Sequence, residues 1–410
     1  MLESSRSPTL TEHSISPRTT FTDTYPAHRK KRQDNETGLK VGQHFRKTQP
    51  ALPCLSMRGP GWVLLLAAGL TPIAAQSLPG FRAWYPEYRP ILSKTLESEC
   101  SAEYEAWVPG NRPTVENSNG TATTGQAVVQ CILESTSEFM KTNMASAAVL
   151  LGIMPFALSV LGSSSEESAL LYVIARRPLL TTLLLAGAPV VVALRPFEYK
   201  DPVGILRSRE GRFYSLKLGP PWAVVLCEYL VALASVANVV HVTYQLGVGV
   251  ITMLLPDSSY LPALWAATGI LVHILGALCL KSRVRLRLPA DNSIVKSEFT
   301  PSAAKTITVE TIPETKLFLA LSWMTSTATT FHVIFGTLAF SSMQFISVKD
   351  AFGVIGRYTA SVTLCRVIVM YELSGLRGAT DSINEGPLDD DTLDPSAGIK
   401  RVPRIFTFAP

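Results

Sequence analysis

Apolar residues in this chain come in long unbroken blocks rather than in stripes at a helix or strand period. Four blocks, 143–162, 222–245, 261–280 and 317–340, are each about 20 residues long, the length of helix that crosses a hydrocarbon core of about 30 Å. Stretches 144–161 and 317–348 contain no Asp, Glu, Lys or Arg, and between Trp222 and Leu280 only Glu228 and Asp257 are charged. Lipid offers backbone groups no hydrogen-bond partner, so such blocks are expected to be helices that pair their own amides. Two further blocks are ambiguous. Block 178–194 is short, bracketed by Arg176, Arg177 and Arg195, and contains Gly187 and Pro189. Block 351–371 is apolar but includes Arg357 and Arg366, so it reads as an interfacial helix, a tilted span or a packed re-entrant element.

The polar flanks set the rest of the organisation. Residues 1–56 are rich in Ser, Thr, Pro and basic side chains, have no apolar period and cannot bury a core. The basic run at 28–32 within them reads as solvated charge. At Met57 the pattern changes: Arg58, the apolar run 62–70 and the small residues Ala74 and Ala75 form a secretory signal with cleavage expected after Ala75. Translation is then expected to begin at Met57, with 1–56 a gene-model extension. The competing reading is a cytosolic tail followed by a signal anchor. Residues 374–410 mix Gly, Pro and acidic residues and read as a disordered tail.

Segment 76–142 is polar with scattered aromatics and would face the lumen or exterior. There Cys100 and Cys131 are expected to form a disulfide. Asn119, in an Asn-Gly-Thr triplet, is a candidate glycosylation acceptor. A stretch this short with one staple is not expected to build a core alone, but to lean on the membrane region 143–373.

Sidedness then presents a conflict. If all blocks spanned, the basic loop 196–221 and the run Lys281, Arg283, Arg285 and Arg287 would fall outside, against the excess of Lys and Arg on cytosolic loops. Letting 178–194 dip in and return puts both on the cytosolic side.

Composition agrees with lipid as the solvent. Of 410 residues, 47% are hydrophobic and only 17% charged, against about a quarter charged in soluble domains. A soluble enzyme, a collagen, a coiled coil and a wholly disordered chain are excluded. The net charge of +5 is accounted for by the loops and does not indicate nucleic acid.

Chemistry-bearing residues are few. In 222–245, Glu228, Ser235, Asn238 and Gln245 fall within about a third of the helix circumference, with His241 at the margin. Such a stripe avoids lipid and marks either a proton or ion route through Glu228 or hydrogen bonding to a neighbouring helix. His273 shares a face with Gly269 and Gly276, and 317–340 carries a matching stripe of Ser322, Thr325, Thr329, His332 and Gly336, so the two faces suit one another. A metal held by His241, His273 and His332 lacks any pair at i, i+3 or i+4 on one helix. Hydrogen bonds between helices are the expected role, and no metal or cofactor is expected. The cluster Lys281, Arg283, Arg285 and Arg287 reads as a topology anchor, or as a surface for anionic lipid headgroups. No phosphate-binding glycine loop, zinc-protease helix, Cys-x-x-Cys pair or nucleophile elbow occurs.

Ala175-Arg176-Arg177-Pro178-Leu179-Leu180, with Arg195-Pro196-Phe197-Glu198-Tyr199 and Asp201-Pro202, resembles a group of uncharacterised multi-pass proteins of filamentous fungi over about 144–373. The resemblance implies a secretory-pathway or plasma-membrane location and carries over no functional residue. The expectation is an all-α polytopic helical membrane protein with five or six membrane segments and a small N-terminal extramembrane segment. Its expected role is that of a non-enzymatic scaffold, sensor or partner subunit in the bilayer, with a proton-coupled transporter or channel using Glu228 as the alternative.

Overall fold

The computed structural model describes residues 80–108, 124–192, 219–287, 293–305, 308–384 and 405–407. The signal region, Asn119 and most of the basic loop 196–221 lie outside the described residues. Among the described residues three short helices come first: α1 (Arg89–Ser98), α2 (Ser101–Trp107) and α3 (Thr124–Glu134). The long helix α4 (Glu138–Leu161) follows, then α5 (Ser165–Ala169), which runs into a π-helical turn, and α6 (Pro178–Gly187). The α-helices described after these are α7 (Pro221–Gly249), α8 (Leu261–Arg283), the short α9 (Ile294–Glu298), α10 (Lys316–Ser341) and α11 (Val348–Asn384).

Helices α4, α7, α8, α10 and α11 are each long and apolar enough to cross a membrane, and the protein is an all-α multi-pass membrane protein. Their outer faces carry Phe156, Val160, Leu230, Leu233, Leu271, Phe331 and Val367, all at least half exposed. Such a surface suits hydrocarbon and would be an aggregation site in water. Local sequence sets the helix starts. Ser137 caps α4 by accepting from Met140 N, Thr315 caps α10 by accepting from Phe318 N, and α7 and α8 open with a proline in the first turn.

Two small sheets mark the ends of the bundle. β1 (Ile251–Thr252), just after α7, pairs antiparallel with β4 (Met343–Gln344), just after α10. β2 (Val284–Arg287), just after α8, pairs antiparallel with β3 (Thr308–Thr311), just before α10, and β5 (Ile405–Thr407) adds to the far edge of β3. One end therefore gathers the start of α4, the end of α7, the start of α8, the end of α10 and the start of α11. There Asn143 Oδ1 accepts from Val348 N at 3.0 Å and from the Tyr88 hydroxyl at 2.7 Å.

A cap of α1–α3 sits on that end, with Cys100 and Cys131 bonded. Its core of Phe81, Trp84, Tyr88, Leu92, Trp107, Val128 and Ile132 is completed by Met144 of α4, Ile251 of β1 and Phe345. The cap thus depends on the bundle for its interior. Trp107 Nε1 donates to Asp257 at 2.9 Å, tying it further to the loop between α7 and α8.

Block 178–194 does not cross. Helix α6 has 10 residues, a length of about 15 Å, half the hydrocarbon core. It ends at Gly187 beside Ser235 and Cys365, near the middles of α7 and α11. The chain then returns in extended form: Pro189 lies against Gly269, Val190 against Gly162, and Val191 bridges Ser163 at the end of α4. Entry and exit are on the same end of the bundle, opposite the cap. Both described flanks of the basic loop 196–221 and the whole of β2 lie at that end.

Block 351–371 is an uninterrupted part of α11, which selects the spanning alternative among its three expected readings over the interfacial and re-entrant ones; its arginines are tolerated because both are paired inside. Helix α11 also runs on to Asn384, and Ile405–Thr407 pair with β3, both within the stretch expected to be a disordered tail.

Candidate functional site

The polar stripe of α7 meets a second one on α11. Asn238 Nδ2 donates to Arg357 O at 2.9 Å and to Ser361 Oγ at 2.8 Å. Arg357 returns two bonds, Nε to Asn238 Oδ1 and Nη1 to Gln245 Oε1, each 2.9 Å. Thr243 and Tyr358 share a hydrogen bond of 2.8 Å nearby. Farther from the cap, the tip of α6 lies against Ser235 and Cys365. The two helices thus form one polar seam that runs most of their length, and the re-entrant segment touches it halfway.

The seam ends in a buried charge cluster. Arg177, with no exposed surface, sets Nη1 2.7 Å from Glu228 Oε2 and 2.8 Å from Glu372 Oε1. Two carboxylates from the two seam helices therefore converge on one guanidinium nitrogen. Backbone geometry delivers the arginine: Arg176 takes a positive φ of 52°, which turns the chain, and Pro178 starts α6 two residues later. Arg177 Nε also donates to Glu298 O at 3.0 Å.

The carboxylate of Glu298 serves a different purpose. It accepts from Leu179 N at 3.2 Å and Leu180 N at 2.8 Å, filling the unpaired amides at the start of α6, where negative charge is also favoured by the helix dipole. The Tyr229 hydroxyl donates to it as well. Glu372 Oε2 accepts from the backbone and hydroxyl of Ser302, and Lys305 Nζ donates to Ala175 O. Burial strips water from the Lys305 ammonium and pushes its pKa down to about 8, against partial compensation by Glu372.

A further charge inside the bundle is likewise paired. Arg366 makes a two-pronged ion pair with Glu167, with Nη2 3.0 Å from Oε1. Glu167 also accepts from Ser164 N at 3.0 Å, closing a capping box at the start of α5.

The three histidines nominated from sequence separate into two roles. His273 contacts Ser168 Oγ at 2.7 Å and Val190 O at 3.2 Å. His332 contacts Thr268 Oγ1 at 3.0 Å and stacks on Trp265, and its ring borders the same spot beside Gly269 as Pro189 O. Both thus brace the return strand of the re-entrant segment, at the contact between α8 and α10. His241, expected among the proton or ion pathway candidates, is exposed on the outer face of α7, away from the seam. Among the described residues no group of three His, Cys, Asp or Glu is placed to hold a metal.

The basic run after α8 also divides. Arg283 pairs with Glu314 at 3.1 Å and lies over the Phe318 ring, whereas Lys281 and Arg285 are exposed. In β2, Arg285 and Arg287 stand opposite Glu310 and Thr308, while Val284 and Leu286 pack towards the bundle. Strand alternation accounts for the basic and apolar rhythm in the sequence.

Sequence reasoning found Glu228 but missed its partners Arg177 and Glu372, and missed Glu298 and Lys305. A usable signal existed for Arg177: an arginine directly before a proline that heads an apolar block. Glu298 and Lys305 sit in a connector with no periodicity to distinguish them. No family model matches this chain, and no curated protein or solved structure matches it.

Proposed function

We propose that the protein is a non-enzymatic scaffold or partner subunit of a secretory-pathway or plasma membrane, with its disulfide-stapled cap on the lumenal or outer side and its basic connectors in the cytosol. The observation that supports this reading is the mutual engagement of the ionisable side chains inside the bundle. Arg177 with Glu228 and Glu372, Arg366 with Glu167, and Arg357 with Asn238 and Gln245 all join different elements. Charges used this way fix which helices pack and in which register, at little gain in stability over apolar packing. Exposed Lys281 and Arg285 serve as topology anchors, with attraction to anionic headgroups of roughly 1 kcal/mol per basic residue as a secondary effect. Asn119 carries glycan under the same orientation.

Purified protein in proteoliposomes tests the reading. A scaffold shows no pH-driven flux, and Glu228→Gln leaves its assembly with co-purifying partners intact. One observation favours a second reading, a proton-linked carrier or channel: the re-entrant helix stops halfway along a polar seam, and non-helical backbone at membrane depth is tolerated where it is enclosed by protein or lines a water path. That reading requires pH-dependent flux in the native chain and its loss in Glu228→Gln.

A further inference from the structure

Among the described residues the charged end of the seam is covered by Ser293–Lys305, which belongs to the connector between α8 and α10 and to neither seam helix. Polar contacts hold it at four places. The Glu298 carboxylate sits on the amides of Leu179 and Leu180 and on the Tyr229 hydroxyl, and its carbonyl accepts from Arg177. Ser302 binds Glu372 through backbone and side chain, and Lys305 reaches Ala175 O. Ala303 lies against Gly375, where a Cβ would stand 3.0 Å from its own. Against this, Val295 and Phe299 are 69% and 57% exposed. Its apolar contacts are few, Phe299 beside the Tyr229 ring and the buried Pro301 among them, so the stretch is held mainly by hydrogen bonds, and segments with few buried apolar contacts are the ones that open locally at low cost.

We propose that Ser293–Lys305 is a releasable seal on the seam. Closed, it caps α6 with Glu298 and binds Glu372, the last seam residue. Released, it bares the amino end of α6, Arg177, Glu228 and Glu372 to water on the side opposite the cap, and the water-filled region extends along the seam to the tip of α6. The device operates under either functional reading, because it needs only local opening of this connector.

Cys365 is a native reporter, buried at the middle of the seam beside Gly187. In full-length protein with Cys54, Cys227 and Cys279 replaced by serine and the disulfide kept, its reaction with a small cationic methanethiosulfonate is followed in detergent micelles. Glu298→Ala with Lys305→Ala is expected to raise the rate tenfold or more. Oxidised Ala303→Cys with Gly375→Cys, positions close enough to bridge after a small shift, is expected to bring it back. An unchanged rate in a double variant that remains monodisperse, or a raised rate indifferent to the bridge, overturns the proposal. Should the double variant fail to fold, the bridge alone decides: it must slow Cys365 relative to the same protein reduced at that bridge, and equal rates overturn the seal.

Discussion

Replacing Arg177 by methionine isolates the charge cluster, because the side chain keeps an unbranched apolar stem of similar reach to arginine's methylenes while losing the guanidinium. In the native protein that group binds Glu228, Glu372 and Glu298 O at 2.7, 2.8 and 3.0 Å. Its removal leaves two carboxylates that are 5% and 1% exposed with no cation between them. Breaking a buried pair in this way costs about 3–5 kcal/mol, or roughly two to nearly four orders of magnitude in the unfolding equilibrium. Glu228→Gln should cost less, about 1–3 kcal/mol, because Arg177 retains Glu372 and the Glu298 carbonyl. The diagnostic comparison is the double variant. Once Arg177 is gone, Glu228 is an unpaired buried charge, and neutralising it should restore at least about 1 kcal/mol. Unfolding of the purified protein in detergent, followed by tryptophan fluorescence, gives all four corners of the cycle. Arg177→Met within about 1 kcal/mol of the native protein, or additive effects in the double variant, would refute the claim that this cluster joins α6, α7 and α11.

Three other outcomes follow from particular contacts. A valine at Gly187 would push its Cβ to 2.9 Å from Ser235 Cβ and 3.0 Å from Cys365 Sγ, so Gly187→Val should lower stability by about 1–3 kcal/mol; Gly353→Ala, with nothing within 4 Å, is the neutral control, and equal melting shifts for the two would sink the tight approach of α6. Cys100→Ala opens a loop with a sequence separation of 31 and should destabilise the cap by about 3–4 kcal/mol, read as faster proteolysis of residues 80–136 while the bundle stays intact. Lys305 has a folded pKa of about 8 against 10.5 for the free side chain. Between those values the unfolded chain holds more protons, so stability should rise with pH across that window, by no more than about 3 kcal/mol. Lys305→Met should flatten the rise, and a slope that survives the substitution would assign it elsewhere.

Local and long-range information divide the legible from the illegible here. Span length and the absence of charge are local properties, so the membrane helices stand out in the sequence wherever a block lacks ionisable residues. The inward orientation of Glu228, Asn238 and Gln245 follows from spacing at about 100° per residue, but that angle is too coarse to place His241, which is exposed on the outer face of the same helix. Arg357 and Arg366 make α11 look unfit to cross because their cost depends on partners. Those partners lie 119 residues away at Asn238 and 199 residues away at Glu167, and no window along the chain contains both.

The re-entrant segment shows how the two kinds of information combine. Its shortness and its Gly187 and Pro189 are local, and the charge bias of the connectors argues for entry and exit on one side. What holds it there is entirely long-range. Glu298 caps its start, Arg177 ties that start to both seam helices, Gly187 permits contact with Ser235 and Cys365, and His273 reaches the Val190 carbonyl on the way out. A helix of this length cannot place its ends at two water interfaces, so its terminal amides and the return strand's carbonyls must find partners within the protein. Glu298 and His273 are two such partners, which gives a physical reason for a carboxylate in the connector and a histidine inside α8 that does not depend on transport or catalysis.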